Sequence, residues 1–468
     1  MPPTRNRRHG QNRRPGGPRK TGRPQDLVRR TAFDVIRAVE TRDAYANLLL
    51  PKRLHDRGLT GRDAALATEL TYGTLRGRGT YDAVLALCSD RELRRIDAPL
   101  LDVLRLGAHQ ILATRIPPHA AVGTAVELAR SVSGPGQAKF ANAVLRKVAT
   151  RDMDAWLEIV APPGADTTTR LSVAHSHPKW IVSALRDAVG PAEIGELLAA
   201  DNARPRVTLV ARPGRATLEE LHESGAEPAA YSPYAAILTE GDPAAIAAVR
   251  EGRAAVQDEA SQMVALALAE APLDGPDARW ADLCAGPGGK AGLLAAIANQ
   301  RDARLLAADI QPHRAALVQD AVDARTGVVA ADGTAPAWRP GVFDRVMVDA
   351  PCTGLGALRR RPEARWRRGP EAVAELGPLQ RKLLTTALES VRPGGVVAYV
   401  TCSPHLAETR VVVDDVLRKR DDVERLDAPA VLTSLSADLT GVGDGPYAQF
   451  WPHRHGTDAM FLALLRRT

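Results

Sequence analysis

Two short stretches of this 468-residue chain each deliver a thiol to the end of an apolar, strand-like run. Asp349-Ala350-Pro351-Cys352 closes one run, and Thr401-Cys402-Ser403-Pro404 closes another. On neighbouring parallel strands both thiols would face one cleft, where a thiolate could serve as a nucleophile. A third stretch, ADLCAGPGGK from Ala281 to Lys290, passes from apolar residues through a glycine turn into a helical run from Ala291 to Ala298. A strand that stops in such a turn leaves backbone N–H groups and a surface without Cβ atoms, which suits a nucleotide-like ligand. The turn of Cys284, Ala285, Gly286, Pro287, Gly288, Gly289 and Lys290 is therefore the expected cofactor pocket.

Two phosphate grips are excluded here. A P-loop would need glycine at 284 and Ser or Thr at 291, where the chain has Cys284 and Ala291. The spacing of Gly286, Gly288 and Gly289 does not supply G-x-G-x-x-G either. Asp309, twenty positions past Gly289, closes the run Leu305-Leu306-Ala307-Ala308. A carboxylate at the end of the second strand suits ribose hydroxyls, so the ligand is expected to carry a ribose with no pyrophosphate to hold. Asp282, Asp309, Asp332 and Asp349 all fall at or just past strand ends. Any one of them could be a helix cap; four around one glycine turn indicate a site.

The elements that must position these groups begin near Gln257. Strand-like runs at 279–284, 305–309, 327–331, 343–349, 395–401 and 459–465 mostly alternate with helical runs, the pattern of a doubly wound α/β sheet. Upstream, residues 26–150 read as helices only: Val28, Ala32, Val35 and Val39 repeat at helical spacing, as do Leu101, Leu104, Ala108 and Ile111. Pro117-Pro118 starts a helix and Gly134-Pro135-Gly136 separates it from the next. Residues 151–255 change to short mixed elements, a small α+β module, and 256–468 hold the site. His175, His177 and Trp180 lack an acidic or thiol partner nearby and are assigned no chemistry.

Bulk properties narrow the class. The length allows two to four domains at about 100–200 residues each. Net charge is +7, but residues 1–24 hold seven Arg and one Lys without an acid, leaving 54 basic residues against 55 acidic ones. The basic character sits in a Pro-, Gly- and Asn-rich tail, residues 1–25, expected to be disordered and either to meet phosphate backbones or simply to solubilise. No apolar run is long enough to span a membrane and the N-terminus lacks a secretory core, so a cytoplasmic protein without membrane contact is expected. Cys88, Cys284, Cys352 and Cys402 form no C-x-x-C pair, which argues against a disulfide framework and a zinc site; Cys88 and Cys284 are read as structural thiols.

The stretches QDEASQ at 257–262, DLCAGPGGK, DAPCTGLGALRRRPE at 349–363, VRPGG at 391–395 and TCSP at 401–404 resemble the Nop/Sun family of S-adenosylmethionine-dependent RNA cytosine-C5 methyltransferases. The helical region, with ANAVLR at 141–146 near its end, resembles the NusB-like RNA-binding bundle, and together the likeness is greatest to the bacterial Sun branch. It implies a multidomain chain: an all-α NusB-like bundle, a small α+β linking module and an α/β Rossmann-like methyltransferase domain. Two departures stand in the glycine turn, Gly286 where the family usually has Ala and Ala291 where Thr or Ser is common.

That resemblance implies the reaction. Carbon 5 of cytosine is too electron-poor to take a methyl group directly, so a thiolate must first add to carbon 6. It implies Cys402 as the attacking thiol, Cys352 as the residue assisting release, and Asp349 and Lys290 as groups at the base. It also implies S-adenosylmethionine held by residues 284–290, by Asp309 at the ribose, by Asp332 near the adenine and by Asp349. The substrate would be a single-stranded or flipped cytosine of naked or partly assembled 16S rRNA, met by a monomer. Arg359 to Arg368, with six Arg and Trp366, is expected to reach phosphates and stack on a base. Arg76, Arg78, Arg146 and Lys147 are candidates for RNA contact or for a plain solvated face. Two alternatives are a tRNA cytosine-C5 methyltransferase and a non-catalytic RNA-binding assembly or antitermination factor.

Overall fold

The computed structural model describes residues 26–468, and the basic tail lies outside them. The first helix, Leu27–Arg42, starts where the Asp26 side chain accepts from Arg29 N at 3.0 Å and buries Ala32, Val35, Ile36 and Val39 on one face. Helices follow through Val148: Pro118 opens one at its N-terminus and Gly134, at φ 90°, ends it. Their facing sides form one apolar core. Four more helices, Met153 to Asn202, continue the helical texture beyond the bundle. One side of them packs on Leu355, Leu358, Trp451 and Ala459 from the far end of the chain.

A small antiparallel sheet comes next: β1 (Val207–Ala211), β2 (Ala226–Pro228), β3 (Ala235–Leu238) and β4 (Ala254–Val256), in the order β2-β3-β1-β4. Val210 of β1 shares a core with the buried helix Glu259–Glu270 and with the large sheet behind it.

The large sheet contains β5 (Arg279–Asp282), β6 (Arg304–Asp309), β7 (Gly327–Ala330), β8 (Phe343–Asp349), β9 (Val391–Thr401), β10 (Val423–Arg425), β11 (Tyr447–Gln449) and β12 (Phe461–Arg467). The order is β10-β12-β9-β8-β5-β6-β7, with β11 also paired to β12. The five strands β9-β8-β5-β6-β7 are parallel, and helices between them cover both faces. β12 joins antiparallel to β9 and carries β10, also antiparallel, on its other side, so the parallel sheet is extended by an antiparallel end. Asp349 stands opposite Val400 in the parallel register of β8 and β9, and Ala350 N still donates to Val400 O at 2.9 Å. Cys352, three residues past Asp349, and Cys402, two past Val400, therefore leave the sheet side by side.

Among the described residues no helix is long and apolar enough to cross a membrane, and no cluster of His, Cys, Asp and Glu could hold a metal ion.

Candidate functional site

The glycine turn is held by both neighbouring strands before it is released. Leu283 N donates to Met347 O at 3.0 Å and Ala285 N to Ala308 O at 2.9 Å. Gly288 then takes φ 107°, and a Cβ there would lie 2.6 Å from Ala321 Cβ, so only glycine fits. The helix Gly289–Gln300 starts immediately after, with its free N–H groups at the turn. Asp309 closes the adjacent strand: Gly286 N donates to its Oδ2 at 3.0 Å and Gln311 N to its Oδ1 at 2.9 Å. Arg314, not singled out in the sequence, leans over this carboxylate with Nε 3.4 Å from Oδ2 while Nη2 donates to Gly286 O.

Ala331 N donates to Asp309 O at 3.1 Å, which sets Asp332 beside this corner. Thr334 N and Oγ1 both donate to Asp332 Oδ1 at 2.8 Å, holding its carboxyl below the usual range and leaving Oδ2 outside those bonds. Ile310, directly after Asp309, is 63% exposed. Asp282 is buried, with no partner for its Oδ2; burial, reinforced by the charge of Asp349, pushes its carboxyl up to about 7.

The two thiols meet on the other side of the turn. Cys352 Sγ lies 3.4 Å from Cys402 Sγ. Lys290, on the first turn of the helix, donates from Nζ to Asp349 Oδ2 at 2.8 Å. Burial opposes the charge on Lys290, but Asp349 outweighs it and keeps the ammonium protonated. Cys402 is held below the ordinary thiol range by the hydrogen bond from Cys352 and by the positive charges of Lys290 and Arg361, against burial and Asp349. Cys352 is pushed well up by the same hydrogen bond, by burial, and by Glu408 and Asp349. Of the pair, Cys402 is the more readily ionised. Cys284 is also pushed well up by burial and is inert as a nucleophile.

The arginine loop corrects one expectation. Arg359 and Arg360 both pair with Asp258 (2.8 and 2.6 Å) and Asp458 (2.7 and 3.0 Å). Arg365 is buried and donates to Asn202 Oδ1 at 2.7 Å, Asp201 O at 2.9 Å and Arg76 O at 3.2 Å. Arg367 donates to Val39 O and Ala44 O in the helical bundle. Trp366 lies against Gly79, under the guanidinium of Arg78. Most of this loop holds the protein together, because a guanidinium can satisfy several carbonyls at once while its stem packs. Arg76 and Arg78 serve the same joint, Arg78 pairing with Glu40 at 2.7 Å. Arg361 and Arg368 remain exposed, Arg361 over the ring of Tyr45 and Arg368 donating to Cys352 O at 3.1 Å. His177 is buried 3.6 Å from Asp201 beneath this joint, a structural place as expected.

Comparison with known proteins places this geometry in a family. Residues 268–466 match the 16S rRNA methyltransferase RsmB/F family and residues 27–150 the NusB family. A methyltransferase of Mycobacterium tuberculosis is 53% identical over 95% of this chain and 97% of its own. Ribosomal RNA small subunit methyltransferase B of Erwinia tasmaniensis is 30% identical over 93% of this chain and 97% of its own. The chain belongs to the RsmB/F family. It is accordingly an S-adenosylmethionine-dependent rRNA methyltransferase with a NusB-like bundle in front of a Rossmann-like catalytic domain. The RsmB/F architecture recurs in the crystal structure of PH0851, at TM-score 0.77 and 22% identity, covering 96% of this chain and all of that one. NSun6 of Pyrococcus horikoshii, crystallised with SFG, matches at TM-score 0.50 and 17% identity over 62% of this chain and 98% of its own.

The residues present fit the methyl donor this RsmB/F protein requires. A Cβ at Gly286 or Gly288 would collide with Asp309 Oδ2 or Ala321 Cβ, so glycine lets the turn pack tightly beside the Asp309 carboxylate, and the buried Asp282 Oδ2 lacks the donor that a ligand could bring.

Proposed function

We propose that this protein methylates carbon 5 of a cytosine in 16S rRNA, by way of a covalent bond between Cys402 Sγ and carbon 6 of that base. The observation that carries this reading is the unequal pair of thiols, 3.4 Å apart, with Cys402 the more readily ionised of the two. A single activated thiol would suit many reactions; a thiolate hydrogen-bonded by a second thiol suits one that must both form and break a carbon–sulfur bond.

Residues 284–290 and the carboxylates of Asp309 and Asp332 would hold the cofactor at the strand ends, Asp309 at its ribose and Asp332 near its adenine. S-adenosylmethionine supplies an electrophilic methyl group. Cys402 Sγ adds to carbon 6 and its electron pair raises the nucleophilicity of carbon 5. Asp349, held in place by Lys290, hydrogen-bonds the polar edge of the base and favours that shift. After methyl transfer water takes the carbon 5 proton, the C–H electron pair restores the double bond between carbons 5 and 6, and the carbon–sulfur bond breaks with its pair returning to Cys402 Sγ. Cys352 stands where it can return a proton to the departing sulfur. The cytosine must be unpaired or flipped to reach the cleft, which favours naked or partly assembled RNA as substrate.

The test is nucleoside mass spectrometry of 16S rRNA incubated with the pure protein and labelled cofactor. 5-Methylcytidine is expected. A label on ribose or on an exocyclic nitrogen rules the reading out, and a preference for tRNA in direct competition moves the substrate.

A further inference from the structure

Glu408 sits on the short turn Leu406–Glu408 that follows the second thiol, and it is fully buried. Its Oε1 accepts from Thr353 N at 2.7 Å and from Gln380 Nε2 at 3.2 Å. Its Oε2 accepts from Ser403 Oγ at 2.6 Å and from Thr353 Oγ1. Gln380 Nε2 also donates to Pro351 O at 2.9 Å, and Tyr399 OH to Glu408 O at 2.9 Å. Thr353 follows Cys352 and Ser403 follows Cys402, so one carboxylate ties together the two loops that carry the thiols.

Every donor to this carboxylate is neutral, and among the described residues Glu408 is in no ion pair. A buried anion held only by neutral groups is a costly way to tie two loops, since an amide could make a similar number of bonds without the charge. The charge has a direction. Glu408 acts on Cys352, whereas Lys290 and Arg361 act on Cys402, with Asp349 opposing ionisation at both. Two sulfurs 3.4 Å apart thus stand in unlike surroundings, which favour the proton on Cys352.

We propose that Glu408 is a positioning residue for the methyl-transfer reaction: its carboxylate holds the two thiol loops in register, and its buried charge, bonded twice by Thr353 beside Cys352, sets Cys402 as the nucleophile. This rests on the reading of Cys402 and Cys352 given under Proposed function. The carboxylate is fully buried and acts through the two thiol loops.

Limited alkylation of the full-length protein by iodoacetamide, read by peptide mass spectrometry, reports the order of the thiols without RNA. Wild type is expected to label Cys402 at least about tenfold faster than Cys352. Glu408→Gln, which keeps the shape and removes the charge, is expected to narrow that ratio to about threefold or less and to shift the rising limb of the kcat/KM pH profile. Thr353→Val keeps the charge and loses one tie, so it is expected to lower kcat while preserving the labelling order. An unchanged ratio and pH profile in Glu408→Gln overturns the proposal, as does loss of the order in Thr353→Val. Calorimetry with S-adenosylmethionine checks that each variant is folded. Should Glu408→Gln fail that check, Glu408→Asp must retain the Cys402 preference at reduced turnover, and a folded Asp variant without the preference overturns the proposal. Failure of the enzyme reading looks different: wild type would then make no 5-methylcytidine whatever its labelling order.

Discussion

Cys352 and Cys402 touch through their sulfurs at 3.4 Å, yet they are chemically unlike: the bond between them raises Cys352 and lowers Cys402, and Lys290 and Arg361 favour ionisation at Cys402. In the proposed reaction the same kind of side chain serves once as nucleophile and once as proton carrier.

The division of labour predicts a trapped intermediate. Incubated with 16S rRNA and S-adenosylmethionine, Cys352→Ala is expected to retain a covalent RNA adduct on a denaturing gel, while Cys402→Ala forms none and loses methylation. The reverse pattern means that the thiol after Pro351 attacks, and the two roles must be exchanged.

The pH dependence should follow Cys402. Its folded-state pKa lies below the ordinary thiol value, so the thiolate and the activity are present above that pKa and are lost as pH falls through it. Lys290→Met removes a stabilising positive charge, and the rising limb of kcat/KM should move to higher pH. A profile that stays in place shows that Lys290 does not act on the thiol.

Cofactor binding should be sensitive to one methyl group. Gly288→Ala adds a Cβ 2.6 Å from Ala321 Cβ at a residue with φ 107°. Both the clash and the backbone strain oppose it, and strain alone is worth about 1–3 kcal/mol. The affinity for S-adenosylmethionine measured by calorimetry is expected to fall at least about tenfold. Undiminished affinity means that the turn can re-form elsewhere.

Arg365 should matter to stability. Burial pulls its guanidinium down to about 10, and its removal orphans acceptors on Asp201, Asn202 and Arg76. Arg365→Ala is expected to lower unfolding free energy by about 3 kcal/mol in urea. A loss below about 1 kcal/mol indicates that water satisfies the joint equally well.

Six strands of the large sheet were legible because they are apolar runs, those of β5, β6 and β8 ending in Asp, and the glycine turn because its residue types admit few conformations; β10 and β11, three residues each, are too short to show a pattern. The neighbouring thiols followed from the same register, as Asp349 and Thr401 end adjacent parallel strands. The arginine loop was not legible. Six arginines in ten residues look like a phosphate grip when nothing shows that Asp258, Asp458, Asn202 and the carbonyls of the bundle, remote in sequence, surround them. Glu408 escaped for a related reason: its partners lie 28 and 55 residues away, and a Glu in a polar turn carries no sign of burial.

The guanidinium contacts of Arg365 and Arg367 with the helical head make that head part of a caliper. Under the proposed function, an RNA held by the bundle would meet Cys402 at a reach set by that packing and not by the slack of a tether. Selection of one cytosine would then be a matter of measured length, with the nucleotide at the right reach presented and those nearer or farther passed over. Lengthening the chain between the bundle and the small sheet would leave that reach unchanged as long as the arginine joint stays closed.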